Sequence, residues 1–331
     1  MATVVRSFAI QGIDGYLVDI EIKMLEGQPS ISIIGLGDQA VKEAAERIQA
    51  AIDESGYVFP KKRVIISLAP SDKKKSGSHF DLAMAVGVLC QNGDIGVKKL
   101  PDYGFIGELS LDGRLRACRG ILPMIISGQK RGIKKIIVPE ANFKEASLVH
   151  GVEILGFYDL TGVIRYLEGK TTGIETHMEV NEKILEESER ILDFKDVKGQ
   201  DELIEAVVLA AAGGHNMLMV GEPGCGKTMI AQRIPTILPE MTEEECLEVT
   251  KIYSISGLLP NEHALMKYRP FRAPHHNASL NALIGGGANA MPGEVSLAHN
   301  GVLFLDELAE FSRRTLDALR QPIEDKKVSI S

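Results

Sequence analysis

Cysteine is scarce in this sequence. Among 331 residues it occurs only as Cys90, Cys118, Cys225 and Cys246. No two of them form a Cys-x-x-Cys pair, and none lies at a short spacing from a histidine, so the pattern indicates neither a zinc site nor a disulfide framework. We therefore expect four reduced and mostly buried thiols.

Long apolar runs are missing as well. The longest, such as the stretch over residues 207–214, fall short of the roughly 18 uninterrupted apolar residues that a membrane helix needs. The first 16 residues alternate apolar and polar side chains and contain no continuous apolar core of the kind found in a signal peptide. The sequence therefore predicts no membrane span and a cytoplasmic location.

The sequence also lacks an excess of positive charge. The chain has 37 Lys and Arg against 45 Asp and Glu, a net charge of -8, which argues against a broad basic surface that would hold nucleic acid by itself. Any nucleic-acid contact must then be local. Hydrophobic residues at 44% and charged residues at 25% are typical of a folded globular protein, and the length predicts two domains with separate cores.

The first part of the chain, residues 1–167, alternates strand-like and helix-like patterns. In the helix predicted from Asp38, Val41, Ala44, Ala45, Ile48 and Ile52 share one face, and Gly56 follows its end. Further helices are predicted from Asp81 and Leu160, and strands are predicted from Tyr16, Ser30, Arg63, Phe105, Ile136 and Val152. The pattern predicts a mixed α/β domain.

Residues 168–190 are polar and acidic with few large apolar side chains, which is typical of a linker between domains. The second domain is predicted over residues 191–331. It opens with a helix from Asp201 whose apolar stripe ends at Gly213 and Gly214. The short apolar run Met217–Val220 then predicts a buried strand.

A glycine-rich loop follows that run. Its sequence GEPGCGKT fits G-x-x-x-x-G-K-[ST], with a strand-like segment before it and a helix-like segment after it, as the phosphate-binding loop requires. Glycines let backbone N–H groups approach phosphate closely. The predicted ATP-binding residues are Gly221, Glu222, Pro223, Gly224, Cys225, Gly226, Lys227 and Thr228.

An apolar stretch from Gly301 ends in the adjacent acids Asp306 and Glu307. Asp306 is predicted to hold Mg²⁺ together with the hydroxyl of Thr228, and Glu307 is predicted to polarise the attacking water. Lys227 is predicted to neutralise β- and γ-phosphate charge. Lys227 and Glu307 are thus the candidate catalytic residues, and ATP and Mg²⁺ are the expected cofactors.

Several long motifs resemble the magnesium-chelatase-like AAA+ ATPases of the YifB/ComM type. They are DVKGQ from Asp196, GHNMLMVGEPGCGKT from Gly214, RPFRAPHHNASLNALIGGG from Arg269, PGEVSLAHNGVLFLDELAEF from Pro292 and LRQPIEDKKVSIS from Leu319. The resemblance covers essentially the whole chain. It implies a domain like that of Lon protease and ribosomal protein S5, then a P-loop AAA+ domain with a parallel sheet that assembles with copies of itself into a ring, with six subunits expected.

For function, the resemblance implies an ATP-driven motor acting on DNA, since family members studied as competence proteins are helicases that promote branch migration in natural transformation. DNA would pass through the ring pore. Two alternatives stay open: a motor subunit of magnesium chelatase, which the N-terminal domain argues against, and a truncated, non-catalytic nucleotide-binding module.

The family pattern also sets an expectation for turnover. A sensor strand, an arginine finger and a helical lid normally follow the acidic pair, and the sequence reaches Ser331 inside what resembles the hairpin before the sensor strand. The expectation is that this chain binds nucleotide weakly and hydrolyses it poorly, because charge on the γ-phosphoryl lacks an arginine partner.

The Lon-like segment raises the question of protease activity. Ser78 stands at the position of the Lon nucleophile, but the position of the activating lysine is Leu122. A serine hydroxyl needs a base to become a nucleophile. We therefore predict that the domain is not an active protease and that Ser78 is a helix-entry residue.

Four further features have open interpretations. His275 and His276 are predicted to have a structural or subunit-interface role rather than to bind metal, and the loop at Gly285–Gly287 is predicted to be flexible. Lys326 and Lys327 could contact DNA phosphates or lie in a solvated turn. The run Lys73–Lys75 is interpreted as a solvated loop rather than a DNA-binding arm.

Overall fold

The computed structural model describes residues 2–96, 100–171, 192–260, 265–287 and 290–328. Chain contacts divide the protein into two compact units near residue 177, here called the N-terminal and the C-terminal unit. Apart from residues 168–171, the predicted linker lies outside the described residues. Within the described ranges, no helix is both long and apolar enough to cross a bilayer.

The N-terminal unit is built on a mixed sheet. Its strands are β1 (Thr3–Gln11), β2 (Asp14–Leu25), β3 (Ser30–Ile34), β4 (Arg63–Ala69), β5 (Tyr103–Phe105), β6 (Glu108–Leu109), β7 (Leu115–Arg116), β8 (Lys135–Pro139) and β9 (Glu153–Phe157). Seven of them form one sheet in the order β3-β4-β2-β1-β5-β8-β9, while β6 and β7 form a separate hairpin. Four of the six neighbouring pairs in the large sheet are parallel, which confirms the predicted mixed α/β class.

Helices cover both faces of this sheet. They are α1 (Gln39–Glu54), α2 (Asp81–Asn92), α3 (Ile121–Lys130), α4 (Phe143–Ala146) and α5 (Leu160–Leu167). Val5 and Phe8 point to opposite faces of β1 because strand side chains alternate, and they lie against Gly87 of α2 and Gly128 of α3. The two helices therefore pack on opposite sides of the sheet.

The predicted helix from Asp38 shows how the sequence specifies these elements. The Asp38 carboxylate accepts a hydrogen bond from the backbone N–H of Val41 at 3.0 Å and caps the helix. Val41, Ala44, Ile48 and Ile52, on the predicted apolar face, are all buried. Ser55 and Gly56 terminate the helix, and Gly56 adopts a left-handed φ of 84°.

Two strand predictions in this unit were incomplete. β1 was not predicted, although it pairs along its whole length with β2 from Thr3↔Ile22 to Gln11↔Asp14. The single strand predicted from Phe105 is divided between β5 and β6, because the chain leaves the large sheet after Phe105 and turns into the β6–β7 hairpin.

The regular secondary structure of the C-terminal unit is mainly helical in its described residues. Its helices are α6 (Asp201–Gly213), α7 (Lys227–Ala231), α8 (Glu243–Ser256), α9 (Leu280–Ile284), α10 (Glu294–Leu297), α11 (Arg313–Ala318) and α12 (Arg320–Asp325). Its strands are β10 (Phe271–Arg272), β11 (Gly285–Gly286), β12 (Met291–Pro292) and β13 (Val302–Leu303). β10 and β13 run parallel, and β11 and β12 form a hairpin at the glycine run.

One prediction for this unit was wrong. Met217–Val220 is not a buried strand: Leu218 is 72% exposed and Val220 is 89% exposed, and among the described residues no strand pairs with this segment. An apolar run becomes a buried strand only when neighbours complete its backbone hydrogen bonds. The hairpin predicted around Lys326, Lys327 and Ser331 reaches into residues 329–331, which lie outside the described ranges, and α12 ends before it at Asp325, so the hairpin stays a prediction.

Candidate nucleotide-binding site

The glycine-rich loop of residues 221–226 leads directly into α7. Gly224 and Gly226 adopt left-handed φ angles of 81° and 90°, which non-glycine residues rarely adopt. A Cβ added to Gly224 would meet no atom within 4 Å, so backbone conformation rather than crowding requires glycine there. Gly226 occupies the N-cap position of α7, which leaves N–H groups of the first helical turn free of intrahelical partners.

The Lys227 side chain folds back over this loop. Its ammonium donates hydrogen bonds to the carbonyl oxygens of Gly221 at 2.8 Å and Glu222 at 2.9 Å, and it lies 3.6 Å from the sulfur of Cys225. Cys225 is exposed, in contrast to the expectation of mostly buried thiols. The lysine charge is thus held at the loop, where it can meet an anion.

Thr228 and Asp306 come together although 78 residues separate them. The Thr228 hydroxyl donates a hydrogen bond to Oδ2 of Asp306 at 3.1 Å. Thr228 lies in the first turn of α7, and Asp306 follows the carboxyl end of β13. Hydroxyl and carboxylate oxygens are the ligands that Mg²⁺ prefers, so this pair fits the predicted metal.

Glu307 occupies an unusual backbone conformation beside that pair. Its φ is 52°, in the left-handed region that non-glycine residues enter rarely and at a cost. Its backbone N–H donates to Oδ1 of Asp306 at 3.0 Å. Its carboxylate lies 3.3 Å from Nδ1 of His276. The acidic pair is therefore fixed relative to its surroundings by both backbone and side chain.

An apolar cavity of about 260 Å³ adjoins the loop. Leu203 and Ala206 of α6 line one part of it, Met217–Val220 line another, and Cys225 and Lys227 lie at the loop end. Ligand pockets combine apolar walls with a few polar groups. The cavity therefore lies directly beside the phosphate loop.

The rings of His275 and His276 lie next to each other, with their centroids 4.0 Å apart. Within the described residues, no group of three or more His, Cys, Asp or Glu side chains is arranged to hold a metal ion. His276 contacts Glu307, a contact that the sequence analysis missed. The sequence alone gives no signal for this contact. His276 comes four residues after Arg272 and Glu307 four residues after Leu303, but this equal spacing is informative only once Arg272 is known to pair with Leu303.

Ser78 in the N-terminal unit is not the helix-entry residue that was predicted. Helix α2 begins three residues later, and Phe80 occupies its N-cap position without a side-chain hydrogen bond. The Ser78 hydroxyl instead donates to the Glu108 carboxylate. Leu122, at the position of the activating lysine, is fully buried in α3.

The basic run Lys73–Lys75 is not uniformly solvated. Lys75 is fully buried, and its ammonium donates to the carbonyl oxygen of Pro70. Burial lowers the pKa of Lys75. Lys73 lies over the ring of Tyr16 at 4.6 Å. The solvated-loop interpretation therefore fails for Lys75, because its backbone pairs with Leu36 and Asp38 and holds the side chain inward.

Comparison with known families gives one match in each unit. Residues 193–331 match the family described as magnesium chelatase, subunit ChlI. Residues 20–142 match the family described as subunit ChlI of Mg-chelatase. The matches cover part of the sheet of the N-terminal unit and the whole nucleotide-site region, and they imply a general dependence on nucleotide and Mg²⁺.

Individual relatives extend across both units. The chain is 41% identical over 329 residues to the competence protein ComM of Haemophilus influenzae, covering 99% of this chain and 64% of ComM. It is 42% identical over 334 residues to the protein YifB of Escherichia coli, with the same 99% and 64% coverage. The chain thus spans 64% of the length of each of these relatives, less than two thirds.

A more distant likeness is confined to part of the chain. Over 149 residues the chain is 26% identical to the Lon protease of Rhizobium meliloti, covering 43% of this chain and 18% of the protease. This agrees with the Lon-like character predicted for the first domain. The two family matches and the identity to ComM and YifB show that the chain is a magnesium-chelatase-like AAA+ protein of the ComM/YifB type.

Proposed function

We propose that the C-terminal unit binds ATP and Mg²⁺ at the loop of residues 221–228. The observation that carries the proposal is the 3.1 Å contact between Thr228 and Asp306, which brings the last residue of the loop to the acidic pair. Backbone N–H groups of the loop and of the first turn of α7 would receive the phosphates. The apolar cavity beside Lys227 would take the base or the sugar.

Each predicted residue has a proposed task. The Lys227 ammonium would exchange its bonds to the Gly221 and Glu222 carbonyls for bonds to phosphate oxygens. Thr228 and Asp306 would hold Mg²⁺, which when bound supplies positive charge against the phosphates. Glu307 would orient and polarise the attacking water. Glu222, Pro223 and Cys225 would contribute loop backbone.

Binding of a fluorescent ATP analogue tests this proposal. We expect saturable binding that requires Mg²⁺, and we expect Asp306→Asn to raise the Mg²⁺ concentration that half-saturates it. Asp325→Asn is a matched control, since it makes the same change at an exposed carboxylate on α12. Binding that is indifferent to Mg²⁺ and to Asp306→Asn would contradict the proposed metal site.

We further propose that the protein acts on DNA as a ring of identical subunits, with six expected, in recombination or natural transformation in the cytoplasm. Support comes from the 41% identity to a competence protein across both units. Lys326 and Lys327 follow α12 and are exposed, so they can serve as local phosphate contacts. Anisotropy of labelled branched and linear DNA tests the proposal, with charge reversal at both lysines expected to weaken binding and flatten its salt dependence.

A magnesium-chelatase motor subunit is the second candidate. Both family descriptions refer to a chelatase subunit, and one of them covers residues 20–142. The N-terminal unit therefore does not separate the two candidates as the sequence analysis assumed. Stimulation of ATP hydrolysis by branched DNA would favour the DNA motor, whereas support of Mg²⁺ insertion into a porphyrin by partner subunits would favour the chelatase.

The N-terminal unit is proposed to lack protease activity. Ser78 is hydrogen-bonded to a carboxylate, and the lysine position holds buried Leu122. We expect no cleavage of an unfolded protein substrate by the purified chain. Cleavage that disappears in Ser78→Ala would refute this assignment.

A further inference from the structure

Strand β3 lies at one end of the seven-stranded sheet, so only one of its two sides is paired. Its neighbour on that side is β4, which runs parallel to it, and among the residues that the structure describes no strand lies against the other side. None of the five residues of β3 is buried. Strand edges with free N–H and C=O groups are templates for pairing with another chain. The outer side of β3 is therefore available to a partner strand.

No charged side chain protects this edge. Residues 27–37 contain no Asp, Glu, Lys or Arg, although these make up 25% of the chain. Proteins usually blunt an exposed edge strand with charged side chains, an internal proline or a covering segment, and β3 itself contains neither charge nor proline. The opposite edge of the sheet differs: β9 begins with Glu153, and its last three residues are buried.

Two large apolar side chains are exposed at the end of the same segment. Ile34 is 53% exposed and Leu36 is 59% exposed. Leu36 also has a φ of 55°, in the left-handed region that a leucine adopts only at a cost. By contrast, Ile31 and Ile33 pack partly against the core of the N-terminal unit. A partner strand on this edge would cover apolar surface that water now contacts.

The backbone of β3 determines which groups a partner strand can reach. The N–H of Ser30 donates to the carbonyl oxygen of Lys62 at 3.4 Å, on the side of β4. Alternate residues of a strand direct their backbone groups to the same neighbour, so Ser32 also bonds toward β4. The N–H and C=O groups of Ile31 and Ile33 therefore face the outer side.

We propose that this edge pairs with the same edge of a second copy of the chain, antiparallel and about a two-fold axis at Ser32. Ile31 of each copy then lies opposite Ile33 of the other, and each such pair exchanges two backbone hydrogen bonds. A register centred on Ile31 would instead place Pro29, which has no N–H, opposite Ile33. The axis at Ser32 is thus the register that uses all the outward backbone groups of the strand.

The charge pattern favours a second copy over a foreign segment. A two-fold axis brings an edge against its own copy, so that a charged edge would meet like charges. The uncharged edge avoids this repulsion, and it offers no ion pair to a charged peptide. The contact is also separate from the proposed ring, because ring contacts join two different surfaces of each subunit whereas a two-fold contact joins one surface to itself.

Cysteine cross-linking of the full chain tests the register. The two Ser32 residues form a non-hydrogen-bonded pair with Cα atoms about 4.5 Å apart, a distance that a disulfide spans, so Ser32→Cys should give a disulfide-linked dimer under mild oxidation. Ser30→Cys is the matched control, since four residues along the strand separate its two copies by about 14 Å. Any dimer formed through the exposed Cys225 would appear equally in both variants. Equal cross-linking of the two variants, or none in Ser32→Cys, would overturn the proposal.

Charge substitution at Ser32 tests the choice of partner. A pair of five-residue strands is smaller than a stable interface of about 1,600 Å². We therefore expect a dissociation constant on the order of 100 µM in sedimentation over about 10–500 µM of chain. Ser32→Lys and Ser32→Asp should each associate about tenfold more weakly, because like charges meet at the axis, and mixing the two variants should restore the dimer.

Mixing that restores no dimer would refute pairing with a second copy, and so would an unmodified chain that stays monomeric over the whole concentration range. Neither cross-linking nor sedimentation requires nucleotide or DNA. Their failure would therefore leave the proposed ATP and Mg²⁺ site intact, whereas a chain that dimerises through β3 but binds no ATP would refute only that site.

Discussion

His79 provides a pH-dependence that can be worked out from its environment. Its side chain is buried, lies beside the ring of Phe80, and has Nε2 2.9 Å from the carbonyl oxygen of Phe8. Burial lowers the pKa of His79 from 6.5 to about 4. The folded protein thus keeps this imidazole neutral at a pH where the unfolded chain protonates it.

Proton binding by His79 sets the direction in which the free energy of unfolding changes with pH. Between pH 6.5 and 4 the unfolded chain binds more protons at His79 than the folded protein does, so acidification favours unfolding. One pKa unit corresponds to about 1.4 kcal/mol. The difference of about 2.5 units therefore gives a loss of about 2 kcal/mol at pH 5 and about 3 kcal/mol near pH 4. The loss falls to about 0.4 kcal/mol at pH 6.5 and is negligible by about pH 7.5.

His79→Gln isolates this contribution, because glutamine can still donate to Phe8 but does not titrate. Asp81, whose pKa burial raises to about 6, has the opposite sign but contributes to both proteins alike. Denaturant unfolding followed by tyrosine fluorescence reports mainly on the N-terminal unit, which contains five of the seven tyrosines. We expect the variant to gain about 2 kcal/mol relative to the unmodified chain between pH 7.5 and pH 5. A difference that stays constant over that range would refute a buried neutral His79.

Two further predictions concern one site in each unit. Asp81 is fully buried and accepts hydrogen bonds from Arg47 at 2.7 and 3.1 Å, so Asp81→Leu alone should cost about 3–5 kcal/mol by leaving the guanidinium unpaired. The double variant Arg47→Met with Asp81→Leu should recover most of that in denaturant unfolding, and equal losses in both would contradict the pairing. Thr228→Ala should raise the Mg²⁺ concentration that half-saturates ATP binding by about tenfold, while Thr228→Ser, which keeps the hydroxyl, should not.

The N-terminal unit was predictable because its sequence patterns are local and consistent. Asp38 before a periodic apolar face specified α1, and the run from Leu160 to Leu167 specified α5. β1 was missed although its residues alternate apolar and polar side chains, because a strand forms only where a neighbour completes its backbone hydrogen bonds, and its pairing with β2 is known only from the structure. The order of the strands in the large sheet could not be predicted from the sequence either, since it depends on pairing between distant segments.

The candidate nucleotide site was predictable in its residue types more than in its geometry. The motif identified Lys227 and Thr228 directly, because a phosphate-binding loop requires glycine, lysine and threonine at that spacing. The contact of Glu307 with His276 could not be derived, because it depends on the register of β10 against β13. Met217–Val220 was predicted wrongly because apolar character alone does not show whether a neighbouring strand is available to pair.

The central claim is that the loop of residues 221–228 binds ATP with Mg²⁺, and calorimetric titration of the chain with ATP tests it most directly. We predict one saturable site that requires Mg²⁺ and whose affinity falls about ten- to a hundredfold in Lys227→Ala. Lys130→Ala, at the exposed end of α3, should bind as the unmodified chain does. Absence of binding, or equal affinity in Lys227→Ala and the unmodified chain, would contradict the claim.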